Sequence, residues 1–161
     1  MSRSLRTTLP AVLAALALAL AGTACNDIGD KASEADAVVL VTAVTTAGTS
    51  VASAEDTTAT LSLSVKAKST VAPTSFFNDV TFTNYTVAFS PTGLVPDVTN
   101  GIISTGYLPV GSTATLTLVM VPAGSKPAAG TVVVGDAKVE GHDLLGQPLS
   151  FDAQVALAFT P

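Results

Sequence analysis

From Ala37 onward the chain alternates apolar and polar residues with a period of two, the pattern of strands with one face on a core and the other toward water. The clearest stretch is 58–68, where Ala59, Leu61, Leu63, Val65 and Ala67 take one face and Thr60, Ser62, Ser64, Lys66 and Lys68 the other. Residues 112–121 repeat it, with Ala114, Leu116, Leu118 and Met120 against Thr113, Thr115 and Thr117. At the C-terminal end Phe151, Ala153, Val155, Leu157 and Phe159 alternate with Ser150, Asp152, Gln154, Ala156 and Ala158. Further strands are predicted at 37–45, 80–89, 101–107 and 131–142. Within 80–89 the phase slips. Val80 and Phe82 are even, whereas Tyr85, Val87 and Phe89 are odd. A one-residue slip moves every side chain to the opposite face, so a bulge or change of sheet is expected near Thr83-Asn84.

Turn chemistry separates these segments at short intervals: Ala47-Gly48-Thr49-Ser50, Pro73-Thr74-Ser75, Ser90-Pro91-Thr92-Gly93, Pro109-Val110-Gly111 and residues 122–130. Asp143-Leu144-Leu145-Gly146-Gln147-Pro148 joins the last two strands as a hairpin. No amphipathic helix of useful length lies between strands, which excludes βαβ units. About seven short strands at this spacing predict an all-β fold, an antiparallel sandwich of immunoglobulin type.

Ahead of the strands the pattern changes. Arg3 and Arg6 precede an apolar stretch over 9–21 that only Pro10 interrupts, and small residues follow up to Cys25. Basic, apolar and small segments in that order form a secretory signal peptide, to be set apart from the fold. Residues 26–36 are polar and without apolar period, which predicts a flexible tether. The expected organisation is a signal peptide over 1–24, a lipidated Cys25 with linker over 25–36, and a sandwich domain over 37–161.

Ala21-Gly22-Thr23-Ala24-Cys25 resembles the lipobox of bacterial lipoproteins. The resemblance implies palmitate-type acylation of Cys25, removal of the leader before it, and acylation of the new N-terminus. Several acyl chains anchor stably, since each buried methylene contributes about 0.8 kcal/mol. The family usually carries a large aliphatic residue where Gly22 stands. The alternative is ordinary cleavage after Ala24 and a soluble secreted protein. Residues 137–148 resemble the last hairpin of bacterial immunoglobulin-like modules. With Asp79-Val80-Thr81-Phe82-Thr83-Asn84-Tyr85-Thr86-Val87 they are similar to small exported lipoproteins of uncharacterised activity. That likeness carries a sandwich and a cell-envelope location, held by lipid on a bacterial membrane at its periplasmic or outer face.

Composition narrows the function. The chain has 161 residues, 48% hydrophobic and 12% charged, with no Trp and one Cys. That single cysteine excludes an intrachain disulfide, so packing alone must hold the domain. Both arginines lie in the leader. Beyond it, Lys31, Lys66, Lys68, Lys126 and Lys138 face twelve acidic residues, a net charge of −7. Such a domain offers no electrostatic footprint for nucleic acid and no basic patch for anionic lipid heads. No apolar run reaches the roughly 18 residues of a spanning helix, so a polytopic membrane protein is not expected.

Groups capable of chemistry are few. His142 is the only histidine, flanked by Glu140 and Asp143, and this trio is the candidate for a metal-dependent or hydrolytic accessory enzyme. The competing reading is a solvated strand end leading into a hairpin. Zinc sites draw several His or Cys ligands, which this chain lacks. The nucleophile patterns G-x-S-x-G and S-x-x-K are absent, and Asp79, Asp97, Asp136 and Glu140 are too scattered for a calcium loop. No cofactor and no metal site is expected. Phe76-Phe77 is the candidate binding edge: adjacent aromatics in an extended segment point oppositely, leaving one exposed, unless both plug the end of the core. The sequence therefore predicts a non-catalytic, lipid-anchored sandwich that meets a protein partner in the envelope through its loops or a free sheet edge.

Overall fold

Alternating faces resolve into strands wherever an aliphatic row finds a facing row, and among the described residues seven strands form. The computed structural model describes residues 37–68, 78–103 and 105–161. The strands are β1 (Ala37–Ala47), β2 (Thr57–Ala67), β3 (Val80–Ser90), β4 (Val98–Ile102), β5 (Thr113–Val121), β6 (Val132–Asp143) and β7 (Pro148–Ala158). They build two antiparallel sheets, ordered β1-β2-β5 and β4-β3-β6-β7. This is an immunoglobulin-like β-sandwich. In the constant-type arrangement the fourth strand joins the sheet of the first, second and fifth; here β4 lies beside β3 instead.

The core consists of the rows that the alternation marks out. Ala59, Leu61, Leu63 and Val65 of β2 are buried, as are Leu116, Leu118 and Met120 of β5. Facing them, Val87 and Phe89 of β3, Val133 and Val139 of β6, and Phe151, Val155 and Leu157 of β7 are buried too. The rings of Phe82 and Phe151 meet edge to face, 5.3 Å between centroids. Outward positions carry polar partners: Thr60 and Thr117 share a hydroxyl bond of 3.2 Å, and Gln154 donates to Asp136 at 2.8 Å. Cross-strand pairs of this kind each add a fraction of a kcal/mol, about 0.2–1.

The phase slip in β3 is a bulge. Phe82 pairs with Gly141 and Asn84 with Glu140, so Thr83 is the extra residue on β3. Val80 and Phe82 are buried before it, and Tyr85, Val87 and Phe89 after it. A second shift lies in β1 between Val41 and Ala43, beyond which that strand is exposed.

The strand expected at 101–107 is misplaced: β4 runs over Val98–Ile102 instead. Its ladder to β3 comprises Val98 opposite Val87, Gly101 opposite Tyr85 and Ile102 opposite Asn84. A Cβ on Gly101 would fall within the Tyr85 ring, so a glycine there lets the backbone pass close to that ring. Beyond Ile102 the backbone pairs only through Ile103 N to Thr83 O and between Val80 and Leu108, and a side chain serves the stretch between them. Phe82 N donates to Thr105 Oγ1 at 2.9 Å, and Thr81 Oγ1 donates to Thr105 O at 3.0 Å. Asp97 Oδ1 does the same at the other end, accepting from Phe89 N at 2.8 Å. One edge of β3 is thus covered by a short strand, by isolated backbone bonds from Ile103 and Leu108, and by the side chains of Thr105 and Asp97.

Candidate functional site

The sequence trio lies where β6 runs into the last hairpin, and each member has its own structural partners. Glu140 is on the outward face. Its Oε1 is 2.8 Å from Lys138 Nζ, and its Oε2 accepts from Asn84 Nδ2 at 2.8 Å. The hydrogen bond from Lys138, then that from Asn84, hold the Glu140 carboxyl below its ordinary pKa. The bond to Glu140 and its charge raise the Lys138 pKa in turn. Glu140 is therefore an ionised, occupied carboxylate at neutral pH.

Asp143 turns the other way. It is buried, 2% exposed, and its Oδ1 accepts from Leu145 N at 2.9 Å and from Gln147 N at 2.8 Å. These bonds fix the hairpin turn, which Gly146 completes at φ 77°, a conformation that favours glycine. His142 is half-buried, with Nδ1 2.9 Å from the Asp143 carbonyl oxygen. A carbonyl only accepts, so Nδ1 carries the proton. Among the described residues no group of three or more His, Cys, Asp or Glu is placed to hold a metal ion. The trio adjoins in sequence without converging in space.

The Lys138–Glu140 pair makes a measurable prediction. Folding lowers the Glu140 pKa from 4.5 and raises the Lys138 pKa from 10.5, so the pair's contribution is complete between those two values. It fades as pH falls through the lowered carboxyl value or rises through the raised amine value. The side chains are 41% and 53% exposed, which keeps the effect small. Glu140→Gln is expected to lose no more than about 1 kcal/mol at pH 7, with the difference closing in urea titrations as pH falls through the lowered carboxyl value.

Cys25, Phe76 and Phe77, together with the leader and tether, lie outside the described residues. Two other features concern the sheet edges and the exposed surface, and neither stood out in the sequence. One is Tyr85, buried with its hydroxyl against the other sheet: it donates to Val119 O at 2.9 Å and accepts from Val119 N at 3.1 Å. Burial pushes its phenol pKa up, against the opposing pull of the Val119 bond. This hydroxyl takes up backbone groups on the free edge of β5, and so blocks strand addition at that point. The edge of β7 is likewise closed at its C-terminal end. There Val51 N donates to Thr160 O at 2.9 Å and Thr160 N donates to Thr49 O at 3.2 Å.

The other feature is a set of exposed apolar side chains: Ile102 (87% exposed), Leu145 (62%), Tyr107 (52%) and Leu144 (37%). The available signal was Leu144-Leu145 itself, two leucines in a turn where Gly, Asn, Asp and Ser are the usual residues. Among the described residues no helix is long and apolar enough to cross a membrane. Compared with protein-family models and with curated proteins, the chain matches none.

Proposed function

We infer that the chain is a membrane-anchored, non-catalytic lipoprotein whose sandwich serves as a binding or structural module at the cell envelope. The lipobox-like Ala21-Gly22-Thr23-Ala24-Cys25 after a basic and apolar leader supports the anchor. The non-catalytic half rests on one observation: around the sole histidine, both oxygens of Glu140 and Oδ1 of Asp143 are committed to Lys138, Asn84 and the hairpin backbone. Its mode of action is presentation. The lipid fixes the domain near the bilayer, and the stretches of β5 and β7 that Tyr85 and Thr160 do not close offer backbone groups for strand addition by an envelope protein.

Palmitate labelling in a bacterial host tests the anchor. The native chain is expected to take up label and sediment with membranes, and Cys25→Ala is expected to lose both properties. Absence of label from the native chain would overturn the reading. Cross-linking of the anchored native chain in intact envelopes is the matching test for a protein partner.

A further inference from the structure

We propose that the end of the sandwich at which the chain enters is a lipid-contact surface, with Leu144, Leu145 and Tyr107 dipping into the boundary between headgroups and acyl chains of the membrane that holds Cys25. This rests on the anchored reading above and adds an orientation to it.

The topology brings the relevant loops to one end. Ala37 opens β1 and pairs with Ala67 at the close of β2. Gly111 N donates to Val65 O and Val65 N to Ser112 O, which sets the β4–β5 connection beside that same close of β2. Val80, the first residue of β3, pairs with Asp143 on one side and bridges to Leu108 on the other. The residues next to those two partners are Leu144 and Tyr107. The hairpin tip and the Tyr107 loop therefore flank the start of β3, at the end where the chain enters β1.

Three observations select lipid as the occupant. First, twelve residues carry the chain from Cys25 to Ala37, a contour of at most about 40 Å, so the entry end is the one that the anchor holds closest to the bilayer. Second, the exposed apolar side chains there are two leucines and a tyrosine, an apolar tip with an amphipathic ring that suits a membrane–water boundary, whereas the far end exposes Leu94 and Val132 without an aromatic ring. Third, the two ends differ in charge. The far end carries Glu55, Asp56 and Asp97 in its loops against Lys126, whereas the entry end has Lys66 and Lys68 against the half-buried Asp79, so the far end is the more acidic of the two. An acidic end is repelled by anionic headgroups and belongs in water. The contact need not be strong. A tether this short sets a high local concentration of lipid, so a contact too weak to hold a free domain becomes populated once Cys25 is acylated.

The test uses the full acylated chain in phosphatidylcholine vesicles that contain lipids with a quencher on the acyl chain. Cys25 being acylated, an introduced cysteine is the only free thiol, and an environment-sensitive fluorophore is attached at Leu145→Cys or, at the far end, Thr92→Cys. Both positions are exposed, so both variants are expected to fold. The Leu145 probe is expected to be quenched at least about threefold more than the Thr92 probe, and Leu144→Ser in the same chain to reduce that difference. Equal quenching of the two probes on acylated, vesicle-bound protein would overturn the orientation and leave the anchor standing. A chain that never takes up palmitate would overturn both.

Discussion

Phe82→Ala is expected to remove about 3–5 kcal/mol of stability, the range for truncating a fully buried aromatic side chain. Phe82 is 1% exposed and belongs to the continuous core. Its ring meets Phe151 at 5.3 Å with the planes inclined by 81°, an edge-to-face contact that adds to the area it buries. The two residues sit on β3 and β7 with β6 between them, so one contact spans three strands of the larger sheet. Removing the ring would leave a cavity beside the bulge, where the ladder to β6 is already interrupted. With a total stability of about 5–15 kcal/mol, that is a large share. Thermal unfolding should show a midpoint lower by roughly 10–20 °C. Phe82→Leu keeps most of the volume and should lose much less. A loss below about 1 kcal/mol for the alanine variant would mean that the neighbouring strands collapse into the space.

How much of this was legible in the sequence depends on what each residue answers to. Rows that answer to water are legible: the β2, β5 and β7 faces follow period two, and the structure buries Leu61, Leu118 and Leu157 as that pattern requires. The slip at Thr83 was legible for the same reason, because a bulge is a change of phase in that same signal. Strand β4 was not. It has five residues, sits at an edge and buries only one of them, so no alternation marks it. What holds its neighbourhood is Thr105 and Asp97 standing in for backbone partners, and a hydroxyl or carboxylate in a loop gives no hint of which amide it will meet.

The candidate site divides in the same way. Glu140, His142 and Asp143 are close in sequence, but Glu140 and His142, two apart on β6, take one face while Asp143 takes the other and is buried. The partners that decide their roles lie elsewhere: Asn84 is 56 residues from Glu140, and Val119 is 34 from Tyr85. Only the register of β3 against β6, and of one sheet against the other, brings these together. The partners that hold Glu140 and Asp143 are a property of the fold, which composition does not carry.

Gly141→Ala is the second large effect expected, about 2–3 kcal/mol, in the upper part of the range for inserting a methyl group into packed structure. Gly141 lies opposite Phe82 across the bulge. A Cβ there would run into the carbonyl oxygen of Thr81 and come within 3.0 Å of the Phe82 Cα, both backbone atoms of β3. A side chain in the way could rotate; a backbone in a ladder must move as a unit. Relief requires β3 and β6 to separate at the point where Thr81 also holds Thr105 and Phe82 meets Phe151. The expected signature is therefore local as well as global. Amide exchange should accelerate at Phe82 and His142 beyond what the lower global stability explains. Gly124→Ala supplies the contrast, because a Cβ there meets nothing within 4 Å, and its cost should stay within about 0.5 kcal/mol. If Gly141→Ala proved as neutral as Gly124→Ala, the close approach of the two strands at the bulge would be wrong. The bulge would then owe its place to the phase of the core residues alone.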